Sequence, residues 1–301
     1  MLNTCKTDMK LLKNSIIMPL EGTMDYFTGG VFSSDGQFIE DSLLDRGKPR
    51  QLQEPIESLD GIYIYGGCLF GHFGHFIWES LSRLYTIRKC KEYPILFITP
   101  YDEIIISIFE KSFKAIGVRN KIFFVKVPTS VQNLIYSPPG SSIMPLFIID
   151  EQINALKYFT FSNTERVFKK IWLSRSLLNS NKYGKITNEQ HVEEELNNIG
   201  YEIIHPQMIS LYQQVRLLST SDIVAGFDGS QFFSVLFAKA IRSKFFVFNR
   251  RKNIPNTIPY IFKKRNIEFS LHNFDLEYVS GVGACTNFCH HEIDKIIDTL
   301  K

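Results

Sequence analysis

From about residue 60 onwards the chain alternates short apolar runs, rich in β-branched and aromatic residues, with longer stretches of helical period. Ile62–Tyr65, Ile95–Thr99, Ile122–Val127 and Leu134–Ser137 read as strands, and 73–90 and 103–116 between them as helices. After a less regular stretch near 140–165 the rhythm resumes. Strands are expected at 170–174, 201–204, 222–225 and 244–248, with helices over about 188–199, 210–220, 229–240 and 287–300. Strands separated by roughly 10–15 residues of helical pattern demand βαβ crossovers and therefore parallel sheet. Two such series predict an α/β fold with two Rossmann-like domains facing a cleft. The expected boundaries are an irregular N-terminal cap over 1–60, one Rossmann-like domain over 61–160, a second over 161–286, and a C-terminal helix over 287–301.

Composition narrows the function classes. The net charge of +3 is too weak to point to nucleic acid. No apolar run reaches the roughly 18 residues of a membrane span. The five cysteines are few, odd in number and mostly scattered, there is no Asn-x-Ser/Thr sequon, and the first residues lack the apolar core of a signal peptide. These features point to reduced thiols and a cytoplasmic location. Residues 1–60 are acidic, with six Lys/Arg against ten Asp/Glu. Basic residues concentrate in two triplets, Arg250-Arg251-Lys252 and Lys263-Lys264-Arg265. Each triplet reads either as a solvated face or as a peripheral contact with anionic membrane headgroups or a lipid-linked acceptor.

Ligands of open parallel sheets lie outside the carboxyl ends of the strands, so the residues that follow each strand carry the functional reading. After the first, Gly66-Gly67-Cys68-Leu69-Phe70-Gly71-His72 leads into a helix. At 100° per residue that helix would set Phe73, Ile77, Leu81 and Leu84 on one face and His72, His75, Glu79, Ser82 and Arg83 on the other. His75 and Glu79 at i, i+4 suit a base oriented by a carboxylate. The same residues also read as an ordinary polar face with a Glu79–Arg83 ion pair, or, less aptly, as a metal group of His72, His75 and Glu79 that lacks the His-Glu-x-x-His spacing. Arg175 ends the next buried strand and is placed for bidentate phosphate contact, with Thr187 or Asn188 as a helix cap and Glu189 in its first turn. Gly226-Phe227-Asp228-Gly229 turns sharply into a helix at Ser230-Gln231, a turn that offers N–H groups to an anion. Cys285-x-x-x-Cys289-His290-His291 reads as a helix start, since a zinc site wants a second pair that the other cysteines do not supply.

Taken in order, the three sites resemble glycosyltransferase family 61, which includes bacterial capsular-polysaccharide transferases. The resemblance runs over about residues 60–250. It rests on Gly74-His75-Phe76-x-x-Glu79-x-x-Ser82-Arg83-Leu84, on Leu173-Ser174-Arg175 followed by Asn188-Glu189, and on Gly226-x-Asp228-Gly229-Ser230. Gly200-Tyr201, His205-Pro206 and Gln214 fall at matching positions between them, while Phe233 departs from the polar residue common there.

The resemblance implies a GT-B-like architecture and inverting transfer from a nucleotide sugar to a surface-glycan acceptor, lipid-linked in expectation. His75 supported by Glu79 would be the base, with Asp228 the second candidate. Arg175, Gly229, Ser230 and Gln231 would hold the donor diphosphate, and His72, Arg83, Asn188, Glu189 and Gln214 would line the cleft. No cofactor beyond the nucleotide sugar and no metal is expected, since no Asp-x-Asp occurs in the chain. Two other classes fit the same residues: a catalytically silent scaffold of a polysaccharide-assembly complex, and a phosphate-handling hydrolase.

Overall fold

A strand covered on both faces reads as an unbroken apolar run, and Ile95–Ile98 is buried at every residue. The strands ending at Cys68, Leu173 and Phe227 are likewise buried without a break over their carboxyl ends, and they belong to one mixed and one all-parallel sheet. The structure is a computed structural model that describes residues 8–23, 26–45, 47–101, 103–162, 169–179, 184–282 and 286–301. The chain divides into two compact units, Met1–Tyr158 and Phe159–Lys301.

The first unit runs β1 (Lys10–Gly22), β2 (Phe27–Phe32), β3 (Gly47–Pro49), β4 (Glu57–Cys68), α1 (Phe73–His75), α2 (Leu84–Lys89), β5 (Ile95–Ile98), α3 (Glu103–Ala115), β6 (Ile122–Val125) and β7 (Thr129–Tyr136). A two-stranded pair, β8 (Ser141–Ser142) and β9 (Phe147–Ile148), and α4 (Asp150–Leu156) complete it. Its main sheet has the order β3-β2-β1-β7-β4-β5-β6. β4 pairs in parallel with both β5 and β7. The chain therefore leaves β4 towards one side through β5 and β6, then returns to pair with its other side, which makes the carboxyl end of β4 a topological switch point.

The irregular cap expected over 1–60 is instead largely strand. β1 pairs antiparallel with β2 and β7, and Ile17, Leu20, Phe27 and Val31 enter the same core as Tyr65, Leu96 and Leu134. The period is obscured because Asn14 takes a positive φ of 49° and the register slips between Met18 and Glu21, around Pro19.

The single helix expected over 73–90 is broken. After the three residues of α1 the winding widens to a π segment, Phe76–Ser80, in which Leu81 N–H reaches the carbonyl of Phe76 at 3.0 Å. A turn over 81–83 follows before α2. The carbonyls that this irregular path exposes are taken up by the segment after β7. Ser141 Oγ donates to the Trp78 carbonyl (2.6 Å), Gly140 N–H to that of Ser82 (2.7 Å) and Gln152 Nε2 to that of Leu81 (2.7 Å). Gln152 Oε1 also accepts from Tyr85 N–H at 3.2 Å, so one buried amide spans the break. Rotation per residue differs between π and α winding, and a wheel drawn at a constant 100° fails beyond Phe76.

The second unit runs β10 (Lys170–Leu173), α5 (Glu189–Asn198), β11 (Glu202–Ile204), α6 (Leu211–Thr220), β12 (Ile223–Phe227), β13 (Lys244–Phe248), α7 (Thr257–Lys264), β14 (Phe269–His272), β15 (Leu276–Ser280), β16 (Asn287–His290) and α8 (Ile293–Leu300). β10 to β14 form an all-parallel sheet in the order β11-β10-β12-β13-β14. This is a doubly wound arrangement whose switch point lies between β10 and β12. Trp172, Phe227, Phe248, Tyr201 and Ile296 share its core. α6 begins with a capping box in which Ser210 and Gln213 bond reciprocally, as the Ser-x-x-Gln spacing favours. Two helices differ from expectation. Ser230–Phe237 winds as 3₁₀ rather than α, and 287–301 starts as β16, paired antiparallel with β15, with the helix beginning only at Ile293. Among the described residues no helix is long and apolar enough to cross a membrane.

Replacing Gln152 by Leu removes both ends of the brace and strands the Leu81 carbonyl and the Tyr85 N–H in the interior. Each orphaned group costs about 1–3 kcal/mol, so Gln152→Leu is expected to lower stability by about 2–4 kcal/mol in urea unfolding.

Candidate active site

At the switch point of the first unit, Gly71 N–H donates to Tyr101 Oη and Phe70 N–H to Ser80 Oγ, fixing the exit of β4 (3.0 and 2.9 Å). The rings of His72 and His75 meet edge to face, 5.2 Å apart. His75 Nδ1 lies 2.6 Å from Glu79 Oε2. The Glu79 side chain is wholly buried, whereas that of His75 keeps 23% of its surface exposed. A sealed carboxylate thus orients a partly exposed imidazole through Nδ1.

Arg83 stands apart from this pair. It is buried, with Nε donating to the Ser137 carbonyl at 2.8 Å and Nη2 to the carbonyl of Asp41. Its guanidinium lies 5.0 Å from the ring centre of Tyr65 and 5.7 Å from that of Tyr136. Gly67, at φ +97°, lets it pass, for a Cβ there would come within 2.5 Å of Arg83 Nη1. The expected place of Arg83 beside a ligand is therefore corrected: it ties the turn after the π segment to β7 and to the 40s. Ser82 is likewise buried rather than on an open polar face.

In the second unit the carboxyl ends of β10, β12 and β13 bring cations together. Arg175 Nη1 donates to Gln231 Oε1 (3.2 Å) and Nη2 to the Gly184 carbonyl (3.3 Å). Gln231 Nε2 is anchored in turn on the Phe227 carbonyl at 2.8 Å. Gly229 is extended, with φ 174°, and is needed for space rather than conformation. A Cβ there would meet Gln231 Oε1 at 2.2 Å and Arg175 Nη1 at 2.6 Å. Gly229 and Ser230 are half-buried and sit at the start of the 3₁₀ segment. Asp228 is fully buried, and both its oxygens are taken. Oδ1 accepts from the backbone N–H of Arg250, and Oδ2 from Arg251 Nε and Nη2, both at 3.0 Å.

Arg250 was read from sequence as part of a surface triplet, and this is corrected: its side chain turns inward and is 7% exposed. Nη1 donates to the Gly184 carbonyl at 2.9 Å and Nε to that of Asp228 at 3.4 Å. Burial first, then the neighbouring Arg175, lowers its pKa to about 10. Arg250 follows β13 as Arg175 follows β10, so the strand-end rule that selected Arg175 would also have found it. Arg265, in the other triplet, is committed to the carbonyls of Val235, Leu236 and Ala238 at the end of the 3₁₀ segment. Lys252, Lys263 and Lys264 are exposed.

Three other predicted residues have structural partners. Asn188 precedes α5, but its side chain does not cap it and instead grips both backbone groups of His290, at 2.8 and 3.1 Å. Gln214 spans α6 and the turn before it, donating to the Pro206 carbonyl at 2.8 Å and accepting from Ser234 Oγ at 3.2 Å. Glu189 Oε1 accepts from Arg175 N–H (3.0 Å) and Trp172 Nε1 (3.3 Å), and Oε2 is buried without a partner among the described residues. Phe233 is buried in the 3₁₀ segment. His290 rests on Phe227 with Nε2 at 3.0 Å from the Asn249 carbonyl, and Cys285 of the Cys-His cluster lies outside the described residues. Beside Gln231, Leu173, Ile204, Pro206, Ile209 and Leu217 line a small apolar recess whose cavity volume of about 10 Å³ holds no more than about one water molecule.

The model of one protein family, Glycosyltransferase 61, matches residues 73–243. The chain belongs to glycosyltransferase family 61. The matched span contains His75, Glu79, Arg175, Glu189 and Asp228–Gln231 and stops short of Arg250. Membership gives the activity class, glycosyl transfer. No curated protein matches the chain.

Two predictions follow from this geometry. Gly229→Ala pushes on the ends of two side chains rather than on backbone. The fold should survive while the Arg175 guanidinium is displaced, weakening pyrophosphate binding about tenfold in calorimetry. The Glu189 carboxyl is raised from 4.5 to about 7, chiefly by burial. Between those values the unfolded chain releases a proton that the folded chain keeps, so stability falls as pH rises from about 4.5 to 7. Glu189→Gln should flatten that part of the profile in urea midpoints measured across pH.

Proposed function

We propose that this chain is an inverting glycosyltransferase that moves a sugar from a nucleoside-diphosphate donor to the hydroxyl of a surface-glycan acceptor carried on a lipid. In this reading the two units are the acceptor-side and donor-side halves of a GT-B arrangement working at the cytoplasmic face of a membrane. The observation that carries it is the His75–Glu79 pair at the carboxyl end of β4.

Inversion is a single displacement, in which the acceptor oxygen forms the new bond to the anomeric carbon as the bond to the diphosphate oxygen breaks. It needs one base for the acceptor proton and positive charge for the leaving group. His75 Nε2 takes the proton, and Glu79 stabilises the imidazolium through Nδ1. Both oxygens of Asp228 are already engaged, which favours His75 as the base. Arg175 meets the leaving diphosphate, with the N–H groups at Gly229 and Ser230 beside it. With guanidinium charge at the leaving group, transfer proceeds without a bridging metal.

The test is transfer by purified protein from a panel of nucleoside-diphosphate sugars to a lipid-linked acceptor, followed by linkage analysis. His75→Ala should lower kcat by about 10²–10⁴-fold with donor affinity kept. Arg175→Ala should weaken donor binding and rate together. Free sugar in place of a new glycosidic bond, or full activity in His75→Ala, would overturn the assignment.

A further inference from the structure

We propose that Glu189 is a positioning residue of the donor site, one that takes up a proton as a diphosphate binds beside Arg175. This rests on the reading of the second unit as the donor side.

The hydrogen bonds of Glu189 are lopsided. Its side chain is buried in the first turn of α5. Oε1 accepts twice, from the main-chain N–H of Arg175 at 3.0 Å and from Trp172 Nε1 at 3.3 Å. Oε2 is buried and has no partner among the described residues. An ionised carboxylate spreads its charge over both oxygens and is costly to bury with one of them bare. A carboxylic acid fits this arrangement better: Oε1, as the carbonyl oxygen, has lone pairs for two N–H groups, and the proton sits on Oε2. The grip on the Arg175 main chain survives protonation, because Oε1 makes it.

The surrounding charges decide when that proton is present. One turn along α5, Glu193 adds a like charge while its Oε1 accepts from Ser174 Oγ at 2.6 Å. Arg175 and Arg250, at the ends of β10 and β13, act in the opposite sense. Asp228, at the end of β12, is paired with Arg251. His290, buried from β16 against Phe227, is kept uncharged by burial. Burial outweighs the rest and raises the Glu189 carboxyl to about 7. A diphosphate at Arg175 brings further negative charge to this group and opposes the ionised carboxylate. The linkage is reciprocal: the anion tightens the hold of Glu189 on its proton, and the proton tightens the hold of Arg175 on the anion. It asks nothing of the other contacts of Arg175, because it acts through charge.

The test is calorimetry of the full chain in EDTA-containing buffer with UDP, GDP and ADP, the tightest binder being taken forward. At about pH 7.5 the terminal phosphate, whose own pKa is about 6, is already ionised. A tenfold coupling would move the Glu189 carboxyl from about 7 to about 8. Wild-type protein should then take up about half a proton per nucleotide, read from the difference in heat between Hepes and Tris buffers. Its affinity should fall at least about fivefold from about pH 6.5 to about pH 8.5. Glu189→Gln keeps an Oε1 acceptor, and it should take up less than about 0.1 proton and lose that slope. Arg175→Gln should weaken binding about tenfold. Binding that Arg175→Gln weakens, but without proton uptake or with uptake that persists in Glu189→Gln, overturns the role of Glu189. Binding that is absent, or indifferent to Arg175→Gln, overturns the donor-side reading and the inference with it. If Glu189→Gln does not fold, Glu193→Gln decides. Removing the like charge should move the pH of greatest uptake downwards, and an unmoved maximum overturns the inference.

Discussion

A guanidinium taken out of water has to be matched, and the buried arginines of this protein are matched in different ways. Arg83 is matched by the protein itself: two carbonyls, two tyrosine rings and a glycine that steps aside. Arg175 and Arg250 share one carbonyl. Arg175 holds Gln231 as well, and Arg250 the Asp228 carbonyl. The same residue type therefore ties separate stretches of main chain together in one unit and gathers at the carboxyl ends of parallel strands in the other.

The π segment in the first unit shows how such placement is maintained against local preference. Wider winding leaves carbonyls that an α-helix would have satisfied, and Gly140, Ser141 and Gln152 supply the missing donors. In exchange, His75 stands at the end of a strand with a buried carboxylate 2.6 Å away. Single π turns recur where a side chain must be presented at an angle that regular winding denies.

Much of this was legible in the residues. Unbroken apolar runs such as Ile95–Ile98 and Phe245–Phe248 announced the parallel strands, and the polar residues that follow them, Arg175 among them, stand at the carboxyl edge of the second sheet. What escaped had local causes. Asn14 at positive φ and the slip at Pro19 hid β1 from any test of alternation. The π turn disguised Arg83 as a surface residue, because a wheel assumes a constant rotation. Asn188 and Gln214 carry side chains suited to ligands, yet both are spent on main chain: Gln214 on Pro206 just before its own helix, Asn188 on His290, more distant in sequence than motif reading can see. Arg250 was hidden by its company, since Arg250-Arg251-Lys252 looks like a solvated run until the strand before it is used as the ruler.

The antiparallel strands β1 and β2 bear on how the family span should be understood. The matched residues begin at Phe73, after β4 has ended, and stop at Ser243, immediately before β13. A fragment cut at those limits would lose four of the seven strands of one sheet, β1 to β4, and two adjoining strands of the other, β13 and β14, and it would bare both flanks of β7. The matched span thus draws on parts of two scaffolds, and neither scaffold can be assembled from that span alone.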